Sequence, residues 1–68
     1  MRYFKAEDLD ILFQLDESTG FVHTYGRYSN RRWKDTDGSF EYIRRTQKEI
    51  SEAEFGTIRT KFLLGVED

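Results

Sequence analysis

At 68 residues, 35 % charged and 37 % apolar, the chain has the length of one small globular domain (1–68) and no room for a second. It has no cysteine, which excludes disulfide staples and cysteine-ligated metal, while eleven aromatic residues argue against disorder and predict an aromatic-rich core. The net charge of −2 gives no overall pull on polyanions, yet residues 1–24 carry −3, residues 25–48 carry +4 and residues 49–68 carry −3.

In chain order, residues 2–5 read as a short edge strand. Residues 9–15 follow, with apolar side chains at Leu9, Ile11, Phe13 and Leu15. That period of two predicts a strand with one buried face. Leu12 breaks the alternation and points to a second, smaller apolar surface. Asp16 to Gly20 is a turn, because Asp and Ser start turns and glycine takes positive φ without a Cβ clash. The β-branched and aromatic run that opens 21–26 predicts a strand returning beside the first as a hairpin. Gly26 predicts a bend or bulge in it. Residues 28–31 read as a loop and 31–34 as a short strand.

Asp35-Thr36-Asp37-Gly38 is a turn signal suited to a tight hairpin. As a calcium loop it fails: with Gly38 at the sixth position, the first is Trp33 and the twelfth Arg44, and neither is a ligand. Residues 39–45 read as a further strand, preferred over a single helical turn capped by Ser39.

The clearest local signal opens a helix over 52–64. Ser51 is a good N-cap, Glu54 completes a capping box, and Ile50 with Phe55 forms a hydrophobic staple. Gly65 suits the C-cap. Phe55, Ile58 and Phe62 fall on one narrow stripe, Leu63 flanks it, and Leu64 points nearly opposite. Gly56 is the anomaly: an interior glycine costs roughly 1 kcal/mol against alanine, unless the sheet approaches closely there.

Together these features predict an α+β fold: a three- to four-stranded antiparallel β-meander with one C-terminal helix packed on one face. The expected core is Leu9, Ile11, Phe13, Leu15, Val22, Ile43, Phe55, Ile58 and Phe62, with Trp33 partly buried. The layout of short meander, tryptophan and Ile-Ser-Glu-x-Glu helix start resembles that of many small bacterial or phage proteins. The capping box recurs for physical reasons, so it marks no family.

No cofactor, metal or catalytic signature rises above background. His23 is the only histidine, no motif singles out a nucleophile, and the carboxylate pairs are explained by turns and a helix start. The expectation is a non-enzymatic protein. No apolar stretch nears the roughly 20 residues a membrane span needs, and the first residues lack an apolar leader, which together point to a cytoplasmic location. The functional candidate is the basic, aromatic middle: Tyr25, Arg27, Tyr28, Arg31, Arg32, Trp33, Lys34, Arg44 and Arg45. Tyr, Trp and Arg are the types enriched at binding hot spots, and an edge strand near 31–34 or 2–5 would accept a partner strand. This predicts an adaptor- or inhibitor-like module that binds a protein, as a monomer or weak homodimer. The alternative is a nucleic acid held by the same basic face, with bases stacked on exposed rings. The side of the sheet on which those rings lie discriminates the two.

Overall fold

The computed structural model describes residues 1–7, 10–27 and 30–65. Leu9 and Tyr28 lie outside these described residues. The elements run β1 (Arg2–Lys5), β2 (Ile11–Asp16), β3 (Phe21–Gly26), β4 (Asn30–Lys34), α1 (Ser39–Thr46), β5 (Lys48–Ile50) and α2 (Glu52–Leu64). The strands form one five-stranded sheet in the order β4-β3-β2-β1-β5, antiparallel at every pairing. The architecture is α+β.

Cross-strand register sorts the side chains into two faces, because directly paired residues point the same way. Phe4, Phe13, Leu15, Val22 and Trp33 share one face. Ile43 and Phe40 of α1 pack there, on Phe4, Leu15 and Val22. Tyr3, Leu12, Tyr25 and Ile50 share the other. Phe62, Phe55 and Ile58 of α2 pack there, on Leu12 and Ile50. The two helices therefore sandwich the sheet.

Six expectations need correction, beginning with the strand count of three to four, which becomes five. The single helix on one face becomes two helices on two faces. Residues 39–45 are not a strand but most of α1, whose inward residues Phe40 and Ile43 stand three apart, on one face of a helix. The Asp35–Gly38 segment is accordingly not a hairpin turn; it leads from β4 into α1. Asp37 Oδ1 accepts the Ser39 N–H at 3.1 Å and also the Ser39 hydroxyl, while Gly38 takes φ 81°. β1 is not an edge: it pairs with β2 on one side and with the unforeseen β5 on the other. Nor does Gly26 bulge, since the β2–β3 register stays one-to-one as far as Ile11↔Gly26.

The second face changes the core. Leu12 is fully buried, as are Leu15 and Val22, while Ile11 and Phe13 are only half-buried. Phe4 and Ile50 join the core. The contiguous run Ile11-Leu12-Phe13 is what a strand covered on both faces looks like.

The C-terminal helix matches most of its local signals, although among the described residues the Glu54 carboxylate does not return the bond to the Ser51 N–H that a full capping box requires. Ser51 Oγ accepts the Glu54 N–H at 3.1 Å, and Ile50 and Phe55 sit in one apolar cluster. Gly65 closes the helix at φ 71°. A Cβ at Gly56 would meet nothing within 4 Å, so no close approach requires that glycine. Leu63 and Leu64 are exposed. Among the described residues no helix is long and apolar enough to cross a membrane.

Candidate functional site: the basic edge of the sheet

The basic middle of the sequence divides, in three dimensions, into structural and surface parts. Tyr25 is structural. Its ring lies edge-on to Phe55 with centroids 5.6 Å apart, and the Arg59 guanidinium sits over it at 3.9 Å. Its hydroxyl donates to Gln14 Oε1 at 2.8 Å and lies 3.2 Å from His23 Nδ1. His23 is thus a half-buried partner of that network, with its ring stacked on Tyr25. Arg27 is structural too: it pairs with Asp10 at 2.7 Å and covers the Phe62 ring at 4.9 Å, with its side chain only 13 % exposed. Trp33 packs against the Phe4–Leu15–Val22–Ile43 cluster, and its indole N–H donates to Ser39 Oγ at 3.2 Å. Tyr28 lies outside the described residues.

The remaining residues are surface groups. Arg31, Arg32 and Lys34 stand exposed on β4, and Arg44 and Arg45 stand exposed on the last turn of α1. Among the described residues none of these five meets a carboxylate at ion-pair distance. Arg32 instead lies over the Phe21 ring at 4.0 Å, which fixes its guanidinium on the α2 side of β4. The structure does not gather all five at one place. α1 begins beside β4 and ends where β5 begins, at the opposite edge. Arg44 and Arg45 therefore belong to the far end of the crossover. Arg31, Arg32 and Trp33 do come together. With Asp37 they line a cleft of about 340 Å³ beside β4.

The backbone of β4 adds what the side chains alone do not reveal. Asp35 donates its N–H to Gly20 O at 2.7 Å, in phase with the pairs Val22↔Trp33 and Thr24↔Arg31. That phase turns the peptide groups of Arg31 and Trp33 toward β3. It turns those of Asn30, Arg32 and Lys34 away from the sheet. The opposite edge is built differently. β5 has three residues, and the β1–β2 phase set by Ala6 N–H to Ile11 O leaves only Glu49 facing outward. The Glu49 side chain is gripped by Arg2 through two bonds of 2.8 and 3.0 Å. The Arg2 bond holds the Glu49 carboxyl below the usual carboxylate range. Asp37, at the head of α1, is also lowered, chiefly by the Ser39 hydroxyl. Burial raises the Tyr3 phenol, which packs on Phe55 under α2.

Sequence reasoning found the residue types of this site but not its organisation. It named 31–34 as one of two possible edge strands, and among the described residues β4 is an edge, paired to β3 on one side only; it did not foresee that α1 would carry the chain to the other side of the sheet. The available signal was Asn30-Arg31-Arg32-Trp33-Lys34 itself, since charged residues in a short strand mark an edge. No family model, curated protein or solved structure matches this chain.

Proposed function

We propose that this chain is a small non-enzymatic protein-binding module, adaptor- or inhibitor-like, that engages its partner along β4. One observation carries the reading: among the described residues β4 is an open edge whose outward peptide groups are flanked by exposed Arg31, Arg32 and Lys34. An exposed strand edge is a ready template for a strand from another chain. Tyr25 and Trp33 support this reading over nucleic-acid binding. Both rings pack into the layers between sheet and helices, so neither is a free platform for stacking bases.

The test compares two charge-matched changes. Arg31→Ala with Arg32→Ala removes two cations from β4; Arg44→Ala with Arg45→Ala removes two from the far end of α1. Each variant is checked for folding and then used to pull partners from a lysate. The β4 pair loses a partner that the α1 pair keeps. Stably folded variants that all retain the same partners would refute the reading. Binding of a labelled single strand of nucleic acid at low salt, lost in the β4 pair, would replace it with the alternative.

A further inference from the structure

The free edge also constrains what its partner looks like. A sixth strand beside β4 would hydrogen-bond to the outward groups of Asn30, Arg32 and Lys34. Its side chains would alternate between the two faces, each sharing a face with the β4 residue opposite. On the α2 side its neighbours are Arg32 and Lys34, two residues apart. On the α1 side the residue between them faces Trp33 and the cleft that Arg31, Arg32, Trp33 and Asp37 line. The added strand thus meets a cation, the Trp33 ring with Arg31 and Asp37 around it, and a second cation in succession.

Resting on the protein-binding reading, we infer that the partner segment is an extended strand with the pattern acidic–apolar–acidic, added to β4. The two carboxylates lie opposite Arg32 and Lys34, and the apolar side chain lies against Trp33. Opposite charges placed across strands favour pairing, and like charges disfavour it. The same rule disfavours the obvious competitor, a second copy. Two β4 edges joined about a twofold axis would set Arg32 against Arg32 or, one residue over, Arg32 against Lys34. The edge thus suits an acidic strand better than itself. The rival edge supports the contrast, since β5 offers one outward residue and its carboxylate is already held by Arg2.

The probe is a labelled peptide of alternating aspartate and valine, followed by fluorescence anisotropy and by hydrogen exchange at individual amides. Two controls share its charge: one groups the aspartates in a block, and one is N-methylated on the pairing edge of its backbone. The alternating peptide binds and protects the Arg32 and Lys34 amides. Both controls bind roughly tenfold more weakly or less, a difference of about 1.4 kcal/mol. Arg32→Pro removes the outward N–H without touching the bonds to β3, which proline at an edge permits. It weakens the peptide more than Arg32→Ala does, because Arg32→Ala loses charge alone.

Equal binding of all three peptides would overturn the inference, since charge without strand pairing would then suffice. Equal effects of Arg32→Pro and Arg32→Ala would overturn it as well. A partner captured through β4 that carries no acidic strand would also sink it while leaving the protein-binding reading intact. The absence of any partner whose capture depends on β4 would remove both.

Discussion

The two helices of this molecule form for different reasons. α2 has 13 residues, a hydroxyl N-cap from Ser51, a glycine C-cap and glutamates at its positive end. Its signals are local and readable in order. α1 has eight residues and no side-chain cap at Gly38. Isolated helices shorter than roughly 12–15 residues are marginal in water, so both helices draw on packing, and the short, uncapped α1 depends on it the more. Ile43 sits among Phe4, Leu15 and Val22, and Phe40 lies beside them. A helix made by its own sequence and a helix made by its surroundings thus face each other across one sheet.

Removing the surroundings breaks this contrast most severely. Ile43→Ala leaves a hole under α1 and costs about 2–5 kcal/mol, measured by urea unfolding. Its α1 amides lose protection first, while those of α2 hold until global unfolding. Simultaneous loss of protection in both helices would show that the two layers are not separable.

Changes to the local signals of α2 are smaller. Ser51→Ala costs about 1 kcal/mol by removing the acceptor for the Glu54 N–H. Gly56→Ala works in the opposite direction and stabilises by up to about 1 kcal/mol, because the new methyl meets open space. A loss of stability in Gly56→Ala would mean that the glycine serves a contact.

The smallest effect is on acid sensitivity. Asp37 anchors the start of α1 as a carboxylate with a lowered pKa. Its folded value lies below its unfolded value, so the contribution is present above the ordinary aspartate pKa, about 3.9, and is lost as pH falls through the folded value. The hydroxyl cap of α2 does not titrate. Asp37→Asn therefore flattens the fall in unfolding free energy at acid pH, and Ser51→Ala leaves its slope unchanged. Equal slopes in wild type and Asp37→Asn would remove the carboxylate from the account.

The same difference governs how much of the molecule was legible. The span of α2, its caps, and strands β1, β3 and most of β4 follow from neighbouring residues. The helical character of 39–46 does not, because its decisive contacts are with Phe4, Leu15 and Val22, far away in sequence. β5 escaped notice because Lys48-Glu49-Ile50 is three residues long and Ile50 already had a role in the staple before α2. Leu12, whose break in the alternation points to a second apolar surface, does lie in the second core, and what the break does not convey is that a helix covers it. For the candidate site, the residue types at 31–34 were legible and the sorting was not. Arg27 resembles Arg31 in the sequence, yet it is consumed by Asp10 and Phe62.

The placement of β5 has a consequence for the order in which the chain assembles. β1 becomes an interior strand only when Lys48–Ile50 docks beside it, and the Arg2–Glu49 bond that marks this seam joins residues 47 apart. The four-stranded meander that can form earlier has two open edges, one lined by Arg31, Arg32 and Lys34 and the other by β1. Pairings of such separation are slow to close, because loop entropy is lost before the contact forms. Without β5 in place β1 would be a second open edge, and docking of Lys48–Ile50 is the step that ends its exposure.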